Sequence, residues 1–371
     1  MKAALSAAGW FLSQLTAIFR SLARVWTRLR RPGTRRLLAT CATVAGVAAL
    51  AGCTAPSVGG SSVVSLAEAR TAVVHHWDLN RQALRATSAP EAKRLIEQVE
   101  SGDALKMDEA IIARDAATRG ANPGIQPAIP GATGVRVYVP RQSAYPASFL
   151  SIRTEAQTDP SGAPTGKNVQ VLELFRRASA ADQWHNTGYA EVGTGLAGKL
   201  DFALDRDGYA AFATGSPSGA DLTPLYTTYM GAMAAGKPAE AGKRIQAGPL
   251  TDQFISQLKQ DLAAAAAVRS TVTFATSPGQ QGIMLKTSDG GRFVLFDNLY
   301  DIASAPAGGG CVTAGPGSAV PGSFSSVTEH FLQNVGAVVA PGTDGAVTVV
   351  AESDSPVSTD TKPCTGGGSV V

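Results

Sequence analysis

The chain has 371 residues, 32 of them Lys or Arg and 29 Asp or Glu, for a formal net charge of +3. That sign belongs to the leader. Eight basic and no acidic residues precede Cys53, so 32 basic residues fall to 24 against 29 acidic ones, a net −5, from Cys53 onward. Such a balance argues against a basic groove for nucleic acid, and residues 53–371 suffice for two domains of roughly 100–200 residues each.

Residues 1–30 place Phe11, Leu15, Ile18, Leu22, Val25 and Leu29 on one helical face and Arg20, Arg24 and Arg28 on another. This is the pattern of a basic amphipathic helix on an anionic membrane surface; the alternative is a later start at Val25, which leaves a leader of ordinary length. Arg30, Arg31, Arg35 and Arg36 then form a positive region, Leu37 to Leu50 an uncharged apolar one, and Leu50-Ala51-Gly52 a small-residue cleavage site. The run from Leu37 to Gly52 is shorter than the roughly 20 residues of a spanning helix, so it reads as removed.

Ending in Cys53, this order resembles the lipobox of bacterial lipoprotein precursors. The resemblance implies a diacylglyceryl group on the Cys53 thiol, cleavage before it, and a new amino terminus open to acylation. Two or more acyl chains hold a protein stably where one does not. Thr34-Arg35-Arg36-Leu37-Leu38 also resembles a twin-arginine export signal, with general secretion as the default route. The expectations are a leader over 1–52, a flexible, small-residue tether over 53–62, and a lipid-anchored protein on the extracytoplasmic face of the cell membrane.

A first domain over 63–215 opens with helices. Ser65 with Glu68 and Ser88 with Glu91 are capping patterns, each satisfying orphan amides at a helix start. Leu66, Ala69, Val73, Trp77 and Leu84 share a face of the first helix; Leu95, Ile96 and Val99 stripe the second, which Gly102 should stop. A third helix is expected from Asp103 to about Thr118. Strands follow at Val135–Val139, Phe149–Thr154, Val169–Arg176, Trp184–Val192 and Leu200–Leu204, with a Pro/Gly loop over 158–167. A second domain over 216–353 repeats the order. Thr223-Pro224 reads as a helix start, and Phe254, Leu258 and Leu262 mark another helix. Strands are expected at Val268–Thr276, Gly282–Lys286, Arg292–Tyr300, Val335–Ala340 and Ala346–Glu352. Ser288-Asp289-Gly290-Gly291 is a hairpin turn. Residues 303–323 read as a long loop and 354–371 as a disordered tail.

Cys41 leaves with the leader and Cys53 is the lipidation candidate. Cys311 and Cys364 remain, and an oxidising compartment favours a disulfide between them over two free thiols.

Helices followed by a meandering sheet, twice, resemble two tandem cystatin-like cone domains of the nuclear-transport-factor type. The start, with Trp77 and Asn80 on the first helix, is similar to many such domains, and the layout resembles that of actinobacterial lipoproteins. This implies an α+β fold in which a curved antiparallel sheet wraps helices around a pocket.

The densest polar cluster is His75-His76-Trp77-Asp78, where His75 and Asp78, three apart, could share a face for base catalysis. On an exposed helix the same spacing is more often a solvated pair. Trp184 and His185 at a strand start could line a pocket, with an edge aromatic completing the core as the commoner case. Asp205-Arg206-Asp207-Gly208 looks like part of a calcium loop but lacks the closing glutamate, so a turn is expected. No catalytic elbow, phosphate loop or zinc motif occurs, and no cofactor or metal is implied. The expectation is a non-enzymatic module binding an envelope protein or a small apolar ligand, with His75, Trp77, Trp184 and His185 as candidate ligand residues. The rival is a cone-pocket hydrolase or isomerase using a His/carboxylate pair.

Overall fold

A computed structural model describes residues 62–119, 133–158, 164–264, 268–275, 282–306, 310–314, 322–342 and 345–364. The leader, Cys53 and most of the tether lie outside the described residues.

Helix α1 (Leu66–Arg85) starts where the Ser65 hydroxyl accepts from the Glu68 amide, and α2 (Ala89–Ile96) where Ser88 does the same for Glu91. α2 ends at Ile96 without help from Gly102. That glycine, at φ 61°, instead opens α3 (Gly102–Arg119), after a turn that lies on the sheet. Four strands follow as an antiparallel meander: β1 (Thr133–Tyr138), β2 (Ala147–Thr158), β3 (Pro164–Arg177) and β4 (His185–Val192). In the second half α4 (Gly219–Ala234) begins earlier than Pro224 suggests. Ser218 and Asp221 form a reciprocal capping box, and Pro224 sits inside the first turns. Then come α5 (Pro249–Ala264), β5 (Val268–Ala275), β6 (Met284–Lys286), β7 (Arg292–Pro306), β8 (Val312–Ala314), β9 (Gly322–Val339) and β10 (Val347–Pro363).

The fold is α+β, and the two halves do not keep separate sheets. Strand order runs β1-β2-β3-β4-β10-β9-β7-β5, with β6 on β7 and β8 on β9. The last strand of each half meets the other antiparallel, Ala351 opposite Val192 and Glu352 opposite Glu191.

Alternation divides the sheet into two faces. Phe149 and Phe175 stack at 4.9 Å under α1, and Val294, Phe296, Val335 and Val349 pack under α4 and α5. The opposite parity, Leu150, Ile152, Leu172, Leu174, Phe293, Leu295 and Val350, forms one core shared by both halves. Leu200–Leu204 were expected to form a strand of the first sheet. Residues 200–213 make only isolated bridges instead, among them Pro140 to Ala210, Phe202 to Thr287 and Phe212 to Leu285. These join the end of β1 to β6, which curls the sheet and lets β1 and β7 share a core. At Gly282 the chain passes so close to β7 that a Cβ would lie 1.3 Å from the Leu295 carbonyl, so only glycine fits.

The long loop expected over 303–323 is largely strand at both ends, and β10 continues to Pro363 through residues expected to be tail. Sequence apolarity does not support these ends; ladder bonds do, running from Pro363 opposite Phe324 back to Val347 opposite Val339. Asp205 accepts from the Asp207 and Tyr209 amides at 2.8 and 3.0 Å and pairs with Arg141 at 2.7 Å, a turn and not a calcium loop. Among the described residues no helix is long and apolar enough to cross a membrane.

Cys311 and Cys364 are disulfide-bonded across 53 residues, with Cα atoms 5.9 Å apart. The bond ties the segment before β8 to the end of β10. Replacing both cysteines by serine should cost up to about 4 kcal/mol by loop-closure entropy, read as a lower midpoint in urea unfolding. An unchanged midpoint would show that the link closes nothing the ladder does not already hold.

Candidate functional site

The four residues singled out from the sequence do not converge. His75 is exposed, and its neighbour Asp78 pairs with Arg81 at 3.0 Å instead. Trp77 is buried beneath the Arg153 guanidinium, which lies 3.9 Å from its ring centre. Trp184 packs edge-on against Phe149 at 4.8 Å and donates to Glu68 at 3.2 Å, which makes it a rim residue of the core under α1. His185 lines a recess of about 460 Å³ with Ser101, Arg176 and Gln183, and its Nδ1 lies 3.2 Å from the Glu100 backbone oxygen. Neither His75 nor His185 forms an ion pair with a carboxylate among the described residues. The His75/Asp78 pairing is therefore corrected: one residue along, on the inward face, stands His76.

His76 is 2 % exposed. Its Nε2 lies 3.1 Å from Glu100 Oε1 and its Nδ1 3.5 Å from Glu173 Oε1. Arg153 Nε donates to the same Glu173 oxygen at 2.8 Å, and Ser151 Oγ to the other at 2.8 Å. Burial alone would push the Glu173 carboxyl up, but the charges of Arg153 and His76 and these hydrogen bonds outweigh it and hold it below the usual range. Glu100 reaches the cluster because the α2–α3 turn is pinned to β4: Ser101 donates to the Asn186 carbonyl at 2.9 Å and Asn186 to that of Val99 at 2.8 Å. Asn80, one turn beyond His76, donates to Glu100 at 3.3 Å and Asp108 at 3.4 Å. The signal was available. His76 lies three residues after Val73 and four before Asn80, on the same helical face as Trp77.

The polar band continues across the sheet. Tyr189 on β4 donates to Asp108 of α3 at 2.9 Å. Asp108 is held well above the ordinary carboxyl range, first by burial and then by the Glu100 charge. Glu191 and Glu352 stand opposite each other on β4 and β10, both half-buried. Burial lifts Glu191, and burial with the Asp354 charge pushes Glu352 up to about 8. Asp354 is raised, first by burial, although its side chain reaches solvent. It accepts from Tyr300 at 2.5 Å. Gln333 donates to Glu352 at 2.6 Å and accepts from Asn298 at 3.2 Å, while Asn298 Oδ1 accepts from Thr227 of α4 at 2.9 Å. Above them lie the buried hydroxyls of Tyr226, beside Gln333, and Tyr229. Among the described residues no group of His, Cys, Asp and Glu side chains is arranged to hold a metal ion.

A family model described as Domain of unknown function (DUF8094) matches residues 61–357. The chain belongs to this family. The match takes in both halves of the sheet and every residue of the polar band from His76 to Asp354, so the family is defined across the β4–β10 junction. No curated protein and no solved structure matches the chain.

A further histidine of this family member escaped the sequence reading. His330 on β9 lies 2.8 Å from Asp301 on β7 and 3.2 Å from Asp360 on β10. Hydrogen bonding to Asp301, then to Asp360, raises its pKa above the ordinary 6.5. The stabilisation this gives is complete below the unfolded value and is lost as pH rises through the folded one.

Two outcomes are expected. Glu173→Ala takes from Arg153 its fully buried partner, leaving only the more exposed Glu155, and should cost about 3 kcal/mol in chemical unfolding; a loss under about 1 kcal/mol would refute the pairing. In NMR titration His330 should titrate above 6.5 and move down in Asp301→Asn; an identical midpoint in both proteins would refute the contact.

Proposed function

We propose that the protein is a lipid-anchored, extracytoplasmic binding module of the cell envelope and not an enzyme. Support for the anchor is the Arg30–Cys53 pattern, with Leu50-Ala51-Gly52 before the thiol. Support for the compartment is the Cys311–Cys364 bond, since such links persist where the surroundings are oxidising.

The observation that carries the binding reading is the meeting of Glu191, Glu352 and Asp354 at the β4–β10 junction, where burial raises all three and Asp354 still reaches solvent. Like charges opposite each other on adjacent strands destabilise a sheet, so acids gathered at a junction and reaching solvent are what a polar partner would relieve. These acids favour a polar ligand over the apolar one expected of a cone pocket. The enzyme alternative needs a histidine with both a carboxylate and access to substrate. Among the described residues His76 has the carboxylates but is sealed, His75 and His185 form no ion pair with a carboxylate, and His330 has carboxylates and access but spends both ring nitrogens on Asp301 and Asp360.

The same reading treats the halves as two cystatin-like cone units joined through their last strands. It is supported by the mirrored order, β1-β2-β3-β4 against β5-β7-β9-β10, with helices preceding each set.

Cys53→Ser should abolish incorporation of radiolabelled fatty acid and leave precursor or release protein into the medium. Labelling equal to that of the wild type would overturn the anchor.

A further inference from the structure

We infer that the recess beside His185 binds a hydroxylated carboxylate of the sugar-acid class, with Arg176 holding the carboxylate. His185 and Glu191 are six residues apart on β4, about 20 Å by strand rise, so this is a second site away from the β4–β10 acids.

Three segments wall the recess. Arg176 near the end of β3 and His185 at the start of β4 are direct ladder partners, so their side chains leave the sheet on one side. The β3–β4 connection adds Ala178, Asp182 and Gln183, and the α2–α3 turn adds Ser101. That turn is fixed to β4 by the backbone hydrogen bonds of Ser101 and Asn186. The volume, about 460 Å³, lies within the roughly 300–1,000 Å³ of small-molecule sites.

Arg176 is the anchor because no described residue uses it. It is half-buried, yet among the described residues it forms no hydrogen bond and no ion pair. Its neighbour Arg177 pairs with Glu68 at 2.8 Å, and Arg153 and Arg141 are likewise held by carboxylates. A guanidinium offers five donors in a planar fork that matches a carboxylate. Burial lowers the Arg176 pKa against the charges of Asp103 and Asp297, so the cation is incompletely compensated where it stands. Those two acids, with Asp182 in the lining, also set the charge of the ligand. A single negative charge is drawn to the fork, whereas a doubly charged phosphate meets twice the repulsion from the surrounding carboxylates.

The rest of the lining is polar and rich in acceptors. His185 Nδ1 lies 3.2 Å from the Glu100 backbone oxygen, which can only accept. Nδ1 therefore carries a proton, and Nε2 is left as an acceptor in the neutral ring. The Asp182 carboxylate accepts too, while the Ser101 hydroxyl and the Gln183 amide both accept and donate. Only Ala178 offers a purely apolar side chain. Such a wall suits several hydroxyls and gives an aliphatic acid little to bury against.

The test is calorimetric titration of the full-length protein with D-glucuronate, D-glucose, acetate and inorganic phosphate, alongside NMR of the histidine rings. The expected result is saturable one-to-one binding of D-glucuronate, at least tenfold tighter than that of the other three. The His185 resonances should move, and those of His75 and His330 should stay. Arg176→Gln takes a partner from no described residue and so should fold, with the His330 resonances unchanged as the sign of it. It should weaken D-glucuronate binding tenfold or more. Arg176→Lys keeps the charge without the fork and should weaken binding about three- to tenfold. Absence of saturable binding, binding untouched by Arg176→Gln, or shifts at the other histidines alone would overturn the site. D-glucose, acetate or phosphate bound as tightly as D-glucuronate would overturn the ligand class.

Discussion

The pairing of β4 with β10 is the interaction on which the rest depends. Each half builds an antiparallel meander whose last strand would otherwise expose a row of unpaired backbone groups. Joining those edges buries both and makes one sheet from two. It also sets Glu191 against Glu352, an arrangement neither half would create alone. The curl imposed by residues 200–213 follows from the same fusion, because only a continuous sheet can bring the end of β1 and strand β6 to one connector.

The helix face of that sheet holds two polar environments of different character. Beneath α1 the charges are balanced: Glu173 takes Arg153, Ser151 and His76, and its carboxyl stays ionised despite complete burial. Such a set contributes little net stability over an apolar core but penalises any other packing of the helix on the sheet, since each partner left alone is costly. Toward the β4–β10 junction the balance fails. Glu191, Glu352 and Asp354 are all raised, first by burial. A balanced cluster that fixes the packing of α1 thus stands beside an unbalanced one that reaches solvent at Asp354.

Local features were legible where short-range chemistry decides them. Ser65 and Ser88 announce their helices because a side-chain oxygen three residues before a free amide acts within one turn. Ser288–Gly291 announces its hairpin because Gly290 takes a positive φ that few other residues tolerate. The outer ends of β9 and β10 were not legible. Gly322, Ser323, Ser325 and Ser326 carry no apolar alternation, and Pro356 to Lys362 read as tail, yet each strand finds its ladder partner in the other. His76 was half legible. Helical periodicity places it inward with Val73 and Trp77, but Glu100 and Glu173 are 24 and 97 residues away, and no local pattern points to them.

The sequence by itself determined the helices, most of the strands and their order, and the acidic balance beyond Cys53, because these follow from side-chain periodicity, capping and charge within short windows. Only the tertiary structure decided that the halves share a sheet, that His76 and not His75 turns inward to meet carboxylates, and that three acids from two strands distant in sequence gather at one junction. Those outcomes depend on which strand edges find each other and how far the sheet curls, and such contacts are set by the packing of the whole chain.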